Sequence, residues 1–560
     1  MSEPLNEIIP SRYQLPAPVN RYILEDPPTL GEQVPLDVVF VGGGPAGLAG
    51  AIELARLVKK EKESGGSVIG NIDIGVLEKS EELGNHSLSG AVINPMAFKE
   101  LFPEMKIEDF PFKGPVAGEA VYMLTENAKI KLPTPPTMKN HGNYLASLSE
   151  VVRWLGAQAE GLGINILTNF PADALIVRDG AVCGVRTTPA GLNRNGDPGS
   201  NYLPPTDITA KVTVLCEGSR GPLTQSYRKW QSISADSPQI FALGVKELWK
   251  LKKPLDKVIH TMGWPLPRDA FGGSFFYPMG NDLAALGLVV GLDYRAHNLD
   301  VHRLLQNMKG HPLFQEYLND GEIIEWGAKT IPEGGFYALP KRFHGDGILF
   351  CGDAVGLVNV PALKGIHYAM LSGIYAARTI FEALKNQNFS HATLSQYDNR
   401  IKESVIYRDL KYTRHMRHVF KDGFFIGGAK AALLTITNGL FPGYNGPHNT
   451  DAGETKFVAP PESAPLPPQR KVKTLSKVDA VYLSGNKTRD DIPPHLTTVK
   501  DIPKEVAEFY SSLCPAGVYE VRDGNLVINA PNCVDCKATD VLGPGWQPRE
   551  GGSGPKYKNM

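Results

Sequence analysis

A short apolar run that breaks on Gly42-Gly43-Gly44 and resumes as a helix at Pro45 constrains this 560-residue chain more than any other feature. Leu36 to Val41 reads as a buried strand, being short, rich in β-branched residues and ending directly on glycine. Pro45 suits a first helical turn, and Leu48, Ile52, Leu54, Ala55 and Val58 follow at helical spacing. A charged insertion, Lys59 to Ser67, leads to a second strand, Ile72 to Glu78, which completes a β–α–β unit. Gly42, Gly44 and Gly47 form G-x-G-x-x-G inside it. The first glycine makes the tight turn, the second lets a pyrophosphate approach the backbone, and the third lets the helix pack on the strand. The helix N-terminus adds positive potential. Glu78 closes the second strand, where a carboxylate can accept from a ribose hydroxyl; the charged insertion explains most of its excess over the usual ~20-residue spacing. A glycine turn that only packs helix on strand is the plainer alternative, and the matching flanks weigh against it.

The motif alone does not separate NAD from FAD. A second strand–turn–helix does: Gly347 to Cys351, the turn Gly352-Asp353-Ala354, and a helix of small and apolar residues from Gly365 to Leu384. A second dinucleotide-contacting turn so late in the chain suits a long, extended FAD. Asp353 would then bond the ribityl chain and the Gly365 helix would point at the flavin; a plain turn aspartate is the alternative. Cys351 reads as core packing. Further strands are expected at Lys211 to Leu215 and Ala284 to Gly291.

Lys and Arg number 58 against 59 Asp and Glu, so the chain lacks the basic footprint of a nucleic-acid binder. Six cysteines make no disulfide scaffold, which reads as an intracellular chain. Three of them crowd the tail, Cys514 followed by Pro515 and then Cys533-Val-Asp-Cys536. Thiolates on iron account for all three at once. Zinc would want a fourth Cys or a His, and the only tail histidine, His495, is distant in sequence. A redox dithiol would leave Cys514 unexplained, and plain structural cysteines stay open.

The amino terminus, acidic and proline-dotted, is neither a secretory signal nor an Arg-rich transit peptide. No stretch reaches the ~18 apolar residues of a membrane span. The nearest, Phe424 to Phe441, is broken by Lys430 and Asn438 and reads as a segment lying on a bilayer. It follows a basic run holding Arg408, Lys411, Arg414, Arg417, Lys421, His415 and His418, a pairing suited to anionic lipid. A solvated helix followed by a core helix is the alternative.

These segments resemble one family closely: electron-transfer flavoprotein:ubiquinone oxidoreductase. The resemblance runs from about Asp37 to the end, through GNHSLSGAVINP (84–95), HTMGWPL (260–266), FGGSFFYP (271–278), GLVVGLDY (287–294), GDAVGLVNVPALKGIHYAM (352–370), VYLSG (481–485), CPAGVYE (514–520) and GGSGPKY (551–557). It implies a mixed α/β, Rossmann-like FAD-binding fold of the glutathione-reductase/hydroxylase type, with an inserted quinone-binding domain and a C-terminal ferredoxin-like iron–sulfur domain. It further implies a peripheral membrane enzyme that takes electrons singly from reduced electron-transfer flavoprotein and delivers two to ubiquinone. Gly42, Gly44, Gly47, Glu78, Gly352, Asp353 and Gly365 would hold FAD, Gly272 and Gly273 would present backbone to the quinone head, and Cys514, Cys533 and Cys536 would ligate the cluster.

Two departures from the family pattern stand out. Its tail reads C-x-x-C-x-x-C, and here the last position is Thr539. An unusual fourth ligand such as Asp535 or Asp540, a three-iron cluster, and loss of the cluster are the three readings of that change. In KGIH the family has Thr where this chain has Ile366, which removes a hydrogen-bond donor near the flavin and should lower its potential. The expected division is FAD domain 33–240 with a membrane-facing insertion near 110–140, quinone domain 241–340, second FAD segment and membrane-surface segment 341–442, connector 443–476, and iron–sulfur domain 477–560. The expected place is the cytoplasmic face of a bacterial inner membrane. An FAD monooxygenase or isoprenoid reductase of the same fold, or a flavin-retaining scaffold, are the competing functions.

Overall fold

Val38–Val41 is fully buried on both faces, as a strand of Val-Val-Phe-Val must be when it lies inside a parallel sheet. In this computed structural model residues 5–16, 18–65, 69–90, 92–422, 424–437, 440, 446–458 and 473–560 are described. Side chains in 421–425, Asn438 and Phe441 of the apolar segment, and the connector residues 443–445 and 459–472 lie outside that description.

The strand sits third in a six-stranded sheet ordered Asn165–Thr168, Ile74–Glu78, Val38–Val41, Val212–Leu215, Ile348–Phe350 and His344–Gly345. The first five run parallel and the last antiparallel. The strand Val212–Leu215 therefore separates the early glycine turn from the late Gly352 turn by one strand. Both turns leave the same carboxyl end of the sheet, where α/β folds place their ligands. The helix Pro45–Glu63 packs against the helix Ile366–Asn386. The two approach closely at Gly373, where a Cβ would meet the Ala46 carbonyl at 2.0 Å.

The element boundaries follow the expected ones within a residue or two, with one informative difference. Lys59 to Glu63 belong to the helix rather than to a separate insertion. Lys and Glu are good helix formers, nothing breaks the run before Gly65, and Lys59 faces Glu63 at 3.9 Å across one turn.

A five-stranded sheet of Ile23–Glu25, Ala172–Arg178, Ala181–Thr187, Asp207–Thr209 and Gln33–Pro35 braces the first. Its hairpin turns on Asp179-Gly180, both at positive φ, the pairing a two-residue I′ turn requires. A seven-stranded sheet then forms the second half of the molecule: Glu322–Pro332, Phe241–Lys250, Leu283–Gly291, Gly272–Pro278, Val258–Gly263, Glu119–Leu124 and Lys129–Leu132. Its last two strands come from the 110–140 insertion, and Val258–Gly263 pairs parallel with Glu119–Leu124.

The cysteine tail has no core of its own. Val506, Phe509, Tyr510, Val534 and Leu542 join Trp326 and Ala328 of the large sheet in one continuous apolar cluster. The backbone agrees: Thr330 N–H donates to the Cys536 carbonyl at 3.0 Å.

Candidate functional site

The three motif glycines are required for three different reasons. At Gly42 φ is +115° and a Cβ would meet the Cys216 carbonyl at 2.3 Å; at Gly47 it would meet the Gly42 carbonyl at 2.2 Å. At Gly44 a Cβ would touch nothing within 4 Å, so no protein atom explains that glycine, and its open side faces a cavity. Glu78 stands over the turn. Its carboxylate accepts from Gly43 N–H at 3.1 Å and Ser80 N–H at 2.9 Å, which fixes its direction and leaves lone pairs spare.

That cavity, of about 1010 Å³, is at the top of the range for ligand pockets and runs on past Asp353 and Gly365 to Gly272 and Gly273. Asp353 lines it with no protein partner hydrogen-bonding its carboxylate among the described residues; burial, partly offset by Lys329, pushes its pKa up to about 6. A half-buried acid that faces a cavity without a protein partner suits a hydroxyl donor from a ligand. Gly352 is held by its N–H donating to Ser372 Oγ at 3.0 Å. Gly365 caps the helix that begins at Ile366, so free N–H groups of its first turn open towards the same space.

Gly272 and Gly273 also line the cavity, but neighbouring strands already require both. A Cβ on Gly272 would meet the Val289 carbonyl at 2.1 Å, and on Gly273 the Thr261 carbonyl at 2.4 Å. Close by, Tyr277 O–H and His260 Nε2 form a buried hydrogen-bonded pair on the cavity wall. Burial and the nearby Lys364 hold the His260 pKa down at about 3, so the ring paired with the phenol is neutral.

Cys514, Cys533 and Cys536 are all buried. Burial pushes the thiols up, Cys533 to about 12, while backbone N–H groups favour the thiolates: Ala516, Val518 and Tyr519 on Cys514, Asp535 on Cys533 and Ala538 on Cys536. Sulfurs this dry, yet ringed by amide donors, fit thiolates whose charge a metal offsets. His495, far away in sequence, is brought here after all: ligand atoms of His495, Cys533 and Asp535 lie within 4.8 Å of one another.

Asp535 is a hub. Burial opposes its charge, but Arg549 and Lys79 overwhelm that and hold its carboxyl well below the usual range. Lys79 Nζ sits at 2.6 Å, Arg549 Nη2 at 2.9 Å and Trp546 Nε1 at 2.9 Å. Trp546 and Lys537 of the tail, with Lys79 and Lys329, also line the cavity. The cysteine site and the dinucleotide site thus share a wall.

Whole-chain comparison decides the family. The mitochondrial electron transfer flavoprotein-ubiquinone oxidoreductase of Homo sapiens is 37% identical over 558 residues, which cover 94% of this chain and 89% of that protein. Its counterpart in Dictyostelium discoideum is 36% identical, with coverage of 96% and 92%. This chain belongs to the electron transfer flavoprotein-ubiquinone oxidoreductase family. The family's ubiquinone-binding model matches residues 241–331, on the large sheet, and its 4Fe-4S model matches residues 471–558, the cysteine tail.

Among solved structures, a geranylgeranyl bacteriochlorophyll reductase-like protein from Thermoplasma acidophilum superposes with a TM-score of 0.56 at 19% identity, covering 72% of this chain and 92% of that one. A myxobacterial FAD-dependent halogenase gives 0.50 at 14%, covering 75% and 95%. At such identities the likeness shows the fold alone, and that fold is the FAD-binding one.

One part of the expected lipid-facing surface is corrected by the structure. Arg417, expected among the lipid-facing cations of this oxidoreductase, is buried: it bridges Asp293 at 3.0 Å and Glu333 at 3.1 Å, with its guanidinium 4.0 Å over the Phe271 ring. His415 is buried as well, and His418 stacks on His448. Arg408 and Lys411 remain exposed. The helix Phe424–Ile436 turns Ala431 and Thr435 towards the cavity while Ile426 and Leu433 are exposed, and the exposed Ile436 stands at the cavity rim. No helix among the described residues is long and apolar enough to cross a membrane. The inward turn of the basic run was unreadable in sequence because both acids that claim Arg417 lie more than eighty residues away.

Proposed function

We propose that this protein oxidises reduced electron-transfer flavoprotein and reduces ubiquinone, with FAD in the long cavity, an iron–sulfur cluster on the tail cysteines, and the membrane at the exposed face of the helix Phe424–Ile436. The observation that carries the reading is the continuity of one cavity from the Gly42 turn past Asp353 to Gly272–Gly273 and out beneath that apolar helix, with the tail's Trp546 on its wall. A substrate whose tail lives in lipid has to enter from such a face. When bound, a flavin stores one or two electrons and a cluster passes one, which matches a one-electron donor to a two-electron acceptor.

The residues then have distinct tasks. Glu78, aimed by Gly43 and Ser80, accepts from the adenosine ribose, Gly44 gives the pyrophosphate its room, and Asp353 accepts from the ribityl chain. The helix that starts at Ile366 directs its N-terminal potential at the flavin ring. Gly272 and Gly273 offer backbone to the quinone head. Quinone reduction takes up protons, and Tyr277 O–H, paired with neutral His260, is a donor of the right kind on the same wall. In a bacterial cell the membrane would be the inner one, met at its cytoplasmic face.

The test is anaerobic reduction of the purified, detergent-dispersed protein by reduced electron-transfer flavoprotein, followed by ubiquinone. Bleaching of the flavin by the donor and its return with quinone is the expected result, and Tyr277→Phe should slow the second half at least ~10-fold while leaving the first unchanged. Rapid NAD(P)H oxidation with no response to quinone would replace this reading with that of a monooxygenase or isoprenoid reductase.

A further inference from the structure

We propose that the tail carries a three-iron cluster held by Cys514, Cys533 and Cys536 alone, with the corner of a fourth ligand closed by the paired hydroxyls of Thr539 and Tyr519. The inference rests on the reading of the tail as an iron–sulfur module and concerns which module it is.

Within the tail, Asp535, Asp540 and His495 are each already committed elsewhere. Asp535 gives Oδ2 to Lys79 and Oδ1 to both Arg549 and Trp546. Asp540 gives Oδ2 to Arg220 at 2.5 Å and Oδ1 to Trp546 N–H at 2.9 Å. His495 looks better placed, but Arg549 Nη1 donates to its Nε2 at 3.1 Å. That bond puts the ring proton on Nδ1, and such a tautomer has no lone pair left for iron. The remaining cysteines are elsewhere: Cys183 on a strand of the small sheet, Cys216 and Cys351 in the core beneath the glycine turn.

What stands at the fourth position is a buried alcohol, Thr539 Oγ1, 3.3 Å from the buried Tyr519 O–H. A neutral hydroxyl satisfied by a second hydroxyl is a poor replacement for a thiolate. In their oxidised forms a three-iron core on three thiolates and a four-iron core on four thiolates carry the same net charge. Of the cations around the site, Lys79 and Arg549 pair with Asp535, while Lys329 and Lys537 donate to backbone carbonyls and, among the described residues, carry no carboxylate of their own at hydrogen-bond distance. A four-iron core on three thiolates and an alcohol would leave that cationic shell with one negative charge too few.

The experiment is iron and acid-labile sulfide analysis of anaerobically purified holoenzyme, with EPR of its oxidised and reduced forms. About three irons to four sulfides, a half-integer-spin signal in the oxidised form and its loss on one-electron reduction are expected. A one-to-one ratio with an EPR-silent oxidised state would overturn the proposal, as would absence of iron. Incubation with ferrous iron and reductant should leave the ratio unchanged; stable uptake of a fourth iron counts against it. Thr539→Cys should bring the ratio to one-to-one and move the signal to the reduced form. Should that variant fail to fold, the wild-type ratio still decides. Flavin content and quinone reduction are read separately, so a four-iron protein that reduces quinone sinks only this inference, and a three-iron protein inert to quinone sinks only the function.

Discussion

Gly44→Ala and Gly47→Ala form a matched pair that separates binding from folding at the same turn. At Gly47 the added methyl would sit 2.2 Å from the Gly42 carbonyl oxygen, so the helix must retreat from the strand by more than an ångström. Overpacking of that kind costs ~1–3 kcal/mol in an ordinary core, and a backbone oxygen gives way less readily than a side chain, so the upper end or beyond applies. At Gly44 the methyl would meet nothing, and φ of −87° with ψ of −174° is extended backbone that alanine adopts freely. The loss of unfolded-state entropy stabilises by ~0.4–1 kcal/mol and the poorer helix cap takes back about 0.5–1 kcal/mol, so the two nearly cancel and net stability changes by no more than about 0.5 kcal/mol. The space it fills is the space of the pyrophosphate. A tenfold to hundredfold loss of FAD affinity, about 1.4–2.7 kcal/mol, is the expected result. The assay is flavin per protein after gel filtration, with unfolding temperature of the flavin-free protein measured over an FAD titration. Gly44→Ala should unfold like wild type without FAD and lose most of the FAD-dependent rise; Gly47→Ala should be destabilised with or without it. A Gly44→Ala protein that binds FAD as tightly as wild type would refute the argument, because the open side of that glycine would then face no ligand.

Two further outcomes follow from the charges. Folding raises the pKa of Asp353 to about 6 from about 4, so the folded state holds its proton more tightly and flavin-free protein loses stability as pH climbs between those values. The loss is at most ~3 kcal/mol, less where water enters the cavity, and Asp353→Asn should be flat over that window in a pH series of denaturant melts; equal slopes would exclude Asp353 as the cause. Arg417→Ala strands Glu333 in the core and should cost ~3–5 kcal/mol, whereas Lys411→Ala should leave the melt unchanged and weaken co-sedimentation with anionic vesicles by ~1 kcal/mol, roughly fivefold. The reverse pattern would return Arg417 to the lipid face.

Sequence patterns were informative wherever the physics is local. The glycine turn, both flanking helices and the late Gly352 turn are written in adjacent residues, because a turn, a cap and a helical stripe each depend on neighbours within a few positions. Spacing likewise singled out Cys514, Cys533 and Cys536, all three of which the fold buries. Contacts between distant segments were not. Lys79 and Asp535 are 456 residues apart, and nothing in either neighbourhood announces the pair. His495 looked remote by counting residues and is adjacent in space, while Arg417 looked exposed by its basic company and is buried. In each case the folding of one module onto another overrode the local pattern.

The absence of a separate core beneath the cysteine tail has a consequence for assembly. Thr330 holds the Cys536 backbone, and its neighbour Lys329 reaches both the Asp535 carbonyl and the cavity wall beside Asp353. A chain that emerges without iron should therefore be a poor flavoprotein too: metal delivery and prosthetic-group retention become one quality-control step, and a cell short of iron would find this enzyme pale as well as inactive.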